Sequence, residues 1–549
     1  MSQGMLKKLQ QFDRDLPRIT GFDCMVAFLN TNKMLLIYLF IAGVIAYAAD
    51  IFNFSLNIDS ENHAYGFGAK GGWVAQGRWG MYLLNVLLLP DAIMPVMPML
   101  IAITGSSIGA LFFLHTLSSS RGLADYLAGP IAIACPIIYF AFYFTTLGYG
   151  VGIAFAITGI GMYMLTRWTW HGAVIAVFCF CFGIGIYQAV LPLIATLFCL
   201  YLVASVIEQQ ITLTLLIKRV GIFFVVLIVA YVAYELVKRW SLHYMGIAFD
   251  TGYISSFMSY QMNQEYFINA FKKTVLVAID YYTGGKNYYL YDLLSLKILF
   301  MLVFYASLVR ISFSQNSFLV RVVAVLALLS AIVAPMTMHM LNNGYMPPRT
   351  VLGVPQVLAA MVFFTVSSRS KFLQTLAAIL AVSCFYNFSV INNRYALSNA
   401  MVWQADRELS VLIIQRINEV LHKIPPKNDI FAQYPLELVG WSEYLESPII
   451  VHREVIGASF YTWGAGDVER TERLFRTMGV FDYRAATQQE RLSVVQAAEK
   501  MPVWPYKGSV DVVNGVIVVK FREYNPNQFI SMCRPPMDVD PICVKNMPR

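Results

Sequence analysis

Asp59 and Glu61 stand two residues apart in NIDSENHAYGFGAKGGWVAQGRWG (57–80), a glycine-rich stretch that also holds His63, Lys70 and Arg78. A carboxylate placed beside a hydroxyl and partly withdrawn from water can take its proton, so the pair offers a general base. In a turn the two side chains can converge on one point. The bland alternative is a solvated loop with ordinary acids. His63 invites a metal-site reading with the two acids. Three ligands so close in sequence seldom form a well-shaped site without a helix to space them, so no metal and no other cofactor is expected.

The rest of the chain decides where such a loop would sit. Of 549 residues, 58% are hydrophobic and 13% charged, and the mean hydropathy is +0.59, which excludes an ordinary soluble enzyme. The formal charge of +8 reflects Lys and Arg retained on the cytoplasmic side of a membrane rather than a nucleic-acid partner. The polar start up to Lys33 is too long for a cleavable signal peptide and carries acids as well as bases, so the first apolar run acts as its own anchor.

Eleven apolar runs reach spanning length: 34–55, 92–116, 128–147, 149–166, 172–187, 188–206, 219–238, 296–313, 318–339, 350–367 and 372–390. With Lys7, Lys8, Arg14, Arg18 and Lys33 inside, the later inner turns carry Arg121, Arg167, Lys218, Arg219, Arg310, Arg321, Arg369 and Lys371. The expected architecture is therefore a polytopic α-helical membrane protein with its N-terminus in and its C-terminus out. Residues 1–33 form a cytoplasmic segment, 34–392 a transmembrane bundle with its outer loop at 57–80, and 393–549 an outer domain. This topology puts four pieces outside: the 57–80 loop, about 240–295, MLNNGYMPPRT, and everything after about Asn392.

The tail alternates in character. Leu409, Ile413, Ile417, Val420 and Ile424 line one face of an amphipathic helix, and two further helical patterns lie in DVERTERLFRTMGV and TQQERLSVVQAAEK. SVDVVNGVIVVKF reads as a β-hairpin, with Asn514-Gly515 able to take the positive φ of a two-residue turn. Together they predict a small α/β domain. Cys533 and Cys543 are spaced for a small disulfide loop if the tail faces an oxidising compartment, and are otherwise two free thiols.

NIDSE followed by GGWVAQGRWGMYLLNVLLLP resembles the start of the Gtr-type (GtrII-like) membrane glucosyltransferases that modify bacterial O-antigen. GIYQAVLP in the middle and MPVWPYKGSVDVVNGVIVVKF near the end are also similar, so the resemblance runs from about Asp59 to Phe521. It implies a type C glycosyltransferase in the inner membrane of a Gram-negative bacterium, with its active site facing the periplasm. The implied donor is a polyprenyl-phosphate-linked sugar, the acceptor is lipopolysaccharide O-antigen, and a separate flippase and donor synthase are implied as partners.

The resemblance assigns the base, and residue chemistry suggests the other roles. The acidic residue of the first outer loop is the expected base, with Asp59 favoured over Glu61; family members often carry adjacent acids, whereas here Ser60 intervenes. Arg78 and Arg349, with Lys70 and Lys286 behind them, are candidates to hold the departing phosphate, arginine being suited to phosphate oxygens. The competing role for Arg349 is interfacial snorkelling. His63, Trp73, Trp79, Tyr281, Tyr282 and Tyr345 are candidates for substrate binding. Tyr281 and Tyr282 belong to a tyrosine-rich run with Tyr288, Tyr289 and Tyr291, where aromatic rings stack on sugars or anchor the chain at the interface. Trp79 and Tyr82 suit a helix lying along that interface.

Two other classes compete. A lipid-linked-sugar transporter should keep charged groups near the bilayer midplane, and here the spans are nearly free of charge. An O-antigen polymerase or ligase would use the same lipid-linked glycans at the same surface and is the second choice.

Overall fold

The computed structural model describes residues 28–65, 69–88, 93–118, 122–251, 264–423, 433–443 and 446–525, together with 528 and 532. It is mostly helical. Seven helices are long and apolar enough to cross a membrane: Met97–Leu117, Thr145–Leu165, Val190–Glu208, Leu213–Met245, Leu294–Ser312, Phe318–Leu341 and the helix starting at Lys371. An eighth is possible if Leu123–Ala134 and Pro136–Phe142, bent by 46°, count as one span. The bend has a local cause: Pro136 lacks an N–H and pushes the preceding residue out of the helical region, and Cys135 sits at φ −55°, ψ 126°. The other three expected runs also fold as helices, Lys33–Ala46, Trp170–Ile186 and Val354–Val366, each under 18 residues.

Small residues let these helices pack closely. A Cβ added to Gly105 would lie 2.4 Å from the Gly152 carbonyl, and one on Gly152 would lie 2.4 Å from the Ala102 oxygen. Met97–Leu117 and Thr145–Leu165 therefore touch backbone to backbone, the close approach that small residues permit between membrane helices. The outward faces remain apolar: Leu213–Met245 exposes Ile217, Phe224, Val225, Ile228 and Val229. Such a belt fits contact with lipid rather than water.

The turns sort themselves by end. At one end Arg310 bonds Glu208 at 3.0 Å and the Phe364 carbonyl, and Asn316 accepts from Ile211 N at 2.7 Å. At the other end the 57–65 segment, the 342–349 turn and the tail meet. These contacts join the segment 208–211 to the 310–316 turn, and the tail to the 57–65 and 342–349 segments.

The helix Lys371–Val420 has 50 residues, roughly 75 Å at 1.5 Å per residue and over twice a hydrocarbon core of about 30 Å. The boundary expected at 392/393 consequently falls inside one continuous helix, as nothing between Asn392 and Val420 breaks it, and the separate amphipathic helix expected near 409–424 is its end. Asn392, Asn399 and Asp406, seven apart and so on one face, hold it at both levels. Asn392 donates to the Ala134 carbonyl (2.8 Å) and Asn399 to Tyr139 Oη (3.2 Å) within the bundle. Asn399 also accepts from Gly457 N (2.8 Å), and Asp406 accepts from Ser459 Oγ (2.6 Å) and Phe460 N (2.8 Å) in the tail.

The tail builds a four-stranded sheet in the order β2-β1-β4-β3, from β1 (Tyr434–Val439), β2 (Tyr483–Ala485), β3 (Val510–Val513) and β4 (Val516–Lys520). β1 runs parallel to β2 and β4, and β3–β4 is the expected hairpin, with Asn514 at φ 50° and Gly515 at φ 78°. The two predicted helices form as Val468–Thr477 and Gln488–Lys500, the second with a Thr487/Glu490 capping box. Cys533 and Cys543 lie outside the described residues.

Candidate active site

The loop after the first helix is short and pinned at its start. Asn57 donates to the Tyr143 carbonyl, Ile58 N donates to Tyr143 Oη (3.2 Å), and Ser60 Oγ bonds Thr145 Oγ1 (3.1 Å). Asp59 then takes a positive φ of 78°, a conformation that Asp tolerates better than most residues, and its carbonyl accepts from His63 N to open the helix Ser60–Tyr65. The turn swings both carboxylates to the same place.

That place is the guanidinium of Arg470, from the first turn of Val468–Thr477. Arg470 Nη2 lies 2.7 Å from Asp59 Oδ1, Nη1 meets Glu61 Oε1, and Asp467 Oδ2 stands 3.9 Å from Nε. Arg473, one turn on, donates to Asn62 Oδ1 and to Glu469 Oε2. Glu61 is fully buried and, among the described residues, its Oε2 has no hydrogen-bond partner, whereas the Asp59 side chain keeps 44% of its surface exposed. Burial pushes Glu61 up to about 7; Arg470 pulls it down and the charge of Asp59 adds to the rise. Burial opposes the charge on Arg470, but Asp59 and Glu61 outweigh it and raise its pKa.

A second ion pair crosses to the tail nearby. Arg349, on the turn stiffened by Pro347 and Pro348, pairs with Glu454 and lies over the Phe144 ring at 5.2 Å. Glu454 Oε2 is buried with no hydrogen-bond partner among the described residues, and burial raises this carboxyl despite Arg349. Both ion pairs therefore sit around Tyr143–Thr145, where Pro136–Phe142 gives way to Thr145–Leu165. A cavity of about 150 Å³ opens beside them, lined by Ser55, Asn57 and Thr145 and walled by Ile51, Phe52, Met99 and Phe142.

The other expected site residues are distributed differently. Arg78 is buried between the rings of Trp73 (5.5 Å) and Tyr187 (5.1 Å) and donates to Gln188 Oε1 at 3.3 Å. Trp73 packs on His63 at 5.0 Å, and burial lowers the His63 pKa. Trp79 does not lie at an interface: it is turned into the bundle against Phe182 and Gly185, and the exposed residues of its helix are Leu83, Val86, Leu87 and Leu88. Tyr281 and Tyr282 are buried too, the first stacked on Tyr288 at 3.9 Å and the second donating to the Ile332 carbonyl at 3.0 Å. In this arrangement they are packing residues with no face open to a sugar. Tyr345 is exposed beside the Arg349 turn. Lys286 is exposed in a turn whose backbone N–H donates to Asp292, and the Lys70 side chain lies outside what is described. Among the described residues no three His, Cys, Asp or Glu side chains converge as a metal-binding group.

Arg470 and Glu454 escape sequence reasoning. They lie about 400 residues from Asp59, in a polar tail rich in charge, and nothing local marks either one. Only the buried partners they reach across the fold distinguish them.

Comparison with known proteins completes the description. The family described as glucosyl transferase GtrII matches residues 48–366, more than half of the chain, including Asp59, Glu61, Arg78 and Arg349 but stopping short of Glu454 and Arg470. No curated protein and no solved structure matches the chain.

Proposed function

Since the chain belongs to the GtrII glucosyl transferase family, we propose that it moves a glucosyl or related hexosyl group from a polyprenyl-phosphate donor to O-antigen on the periplasmic face of the inner membrane. All eleven apolar segments cross the bilayer in this reading, the N-terminus is cytoplasmic, and the end that gathers Asp59, Arg349 and Arg470 faces out. The observation that carries it is the convergence of three carboxylates and two arginines from bundle and tail around the Tyr143–Thr145 turn.

The chemistry is a single displacement. Asp59, the more exposed acid, takes the proton of an acceptor hydroxyl; the oxygen attacks the anomeric carbon; the bond from that carbon to the phosphate oxygen breaks, and the lipid phosphate leaves with the electron pair. One displacement inverts the anomeric configuration. Glu61 acts as a positioning residue that fixes Arg470, and Arg470 in turn holds Asp59 aimed. The acceptor must displace Arg470 from one carboxylate oxygen to be deprotonated, so the observed ion pairs describe the resting enzyme.

Arg349 is placed to meet the growing charge of the departing phosphate, which competes with Glu454 for the guanidinium. No nucleotide and no metal enters this scheme.

The test is purified protein incubated with a panel of polyprenyl-phosphate sugars and lipopolysaccharide, read by mass gain on the glycan. A hexose increment that disappears in Asp59→Asn supports the reading. Mass gain by whole repeating units would favour a polymerase, and full transfer in both Asp59→Asn and Glu61→Gln would remove the carboxylate base.

A further inference from the structure

A cleft of about 530 Å³ lies between the outer half of the Lys371–Val420 helix and the tail. Its size is within the roughly 300–1,000 Å³ of sites that enclose small ligands. The helix contributes Ala405 and Asp406, the segment 446–463 contributes His452, and the end of the sheet contributes Trp504, Phe521 and Arg522. We infer that this cleft binds the uncharged sugar residues flanking the acceptor position of a polysaccharide, an assignment that rests on the transferase reading above.

Three features select this occupant. First, the wall offers an aromatic face: half-buried Trp504 is backed by buried Phe521, ring centroids 6.3 Å apart and planes tilted by 58°, and sugar rings present apolar C–H faces to such a surface. Second, the rim alternates donors and acceptors. Arg522 Nη2 bonds Glu443 Oε1 at 3.2 Å, lies over the Trp441 ring at 5.4 Å, and stands with exposed His452 at the mouth. An ion pair this exposed contributes little, so hydroxyls can exchange into it at small cost. Third, Glu443 at the rim offsets Arg522, leaving the lining without the excess of positive charge that a phosphate-bearing lipid would seek. Asp406 itself is already satisfied by Ser459 Oγ and Phe460 N and keeps the floor fixed.

Placement connects the cleft to the reaction. The segment that lines it through His452, Gly457 and Ser459 also carries Glu454, which reaches Arg349. A polymer seated there would have neighbouring units held while one hydroxyl meets Asp59.

Binding is measured without donor, using the full chain in lipid nanodiscs titrated with released O-polysaccharides and, separately, with undecaprenyl phosphate. Wild type should bind a polysaccharide, and Ala405→Trp, which fills the cleft, and the Glu443→Ala/His452→Ala pair should each weaken it at least tenfold. Gly221→Leu, at a helix position with open space around it, should bind as wild type does, and none of the cleft variants should change lipid binding. Polysaccharide binding that is absent in wild type, or unaltered in both cleft variants, overturns the inference, as does a cleft variant that loses the lipid but keeps the glycan. If the cleft variants lose glycan while wild type transfers no sugar, the cleft stands and the transferase reading fails.

Discussion

Arg470 and Glu61 form a contact between residues 409 positions apart, in which a buried carboxylate from the short helix Ser60–Tyr65 meets a guanidinium presented by the first turn of a tail helix. The same guanidinium reaches Asp59 at 2.7 Å, so one side chain fixes the spacing of both acids. Replacing Arg470 by Ala should leave Glu61 buried without a counter-charge and release Asp59, abolishing most transfer. Arg470→Lys should restore little, because an ammonium is a point charge that cannot fork between two carboxylates. Transfer assays on the two variants in nanodiscs check this; equal activity in wild type and Arg470→Ala contradicts it.

Asp59→Asn removes the proposed base and keeps the shape of the side chain. The expected loss of transfer is about 100- to 10,000-fold, the usual range for a general base. Glu61→Gln should cost less in rate if Glu61 only positions Arg470. Steady-state rates for both, alongside equal membrane yields, separate the two roles.

Glu61 also predicts a pH response. Its carboxyl is raised to about 7 in the folded protein, above its ordinary value of about 4.3, so the folded state holds a proton that the unfolded state has lost. Its contribution to stability is therefore full below the ordinary value and declines as pH rises through about 7. Glu61→Gln should flatten that decline, which thermal unfolding in detergent between pH 5 and 8 would reveal. Activity should run the opposite way, gaining as Glu61 ionises and secures Arg470, and the mutant should lose that limb.

The pair Arg349–Glu454 is largely withdrawn from water. Removing one partner leaves a charge without its counter-ion, a loss on the order of 3 kcal/mol for a buried pair, whereas replacing both by apolar residues of similar size should cost less. Melting temperatures of Arg349→Met, Glu454→Leu and the double variant test this. The double variant should nevertheless raise KM for the lipid-linked donor, because the proposed phosphate contact is gone.

Gly152→Leu should prevent folding, since even a Cβ there would meet the Ala102 carbonyl at 2.4 Å. Gly221, with open space around it on a lipid-facing helix, should accept Leu. Size-exclusion profiles of the two variants distinguish a packing glycine from a filler.

The expected apolar segments coincide with helices because each is written locally: a long run without charge has few alternatives to an internally bonded helix. The hairpin was legible for the same reason, Asn514-Gly515 being a turn signal that needs no distant partner. Trp79, Tyr281 and Tyr282 mislead because an aromatic ring suits an interface, a sugar or a core equally well, and its neighbours across the fold make the choice.

The sequence by itself determined that the chain is built of apolar helices with a polar α/β tail, and that Asp59 and Glu61 lie in a loop able to turn. Periodicity and composition suffice for this, since they act over a few residues. Only the tertiary structure decided that both acids meet Arg470, that Arg349 faces Glu454, and that one long helix carries the tail over the site. Those relationships depend on which buried charge finds which counter-charge hundreds of residues away, and no local pattern encodes that.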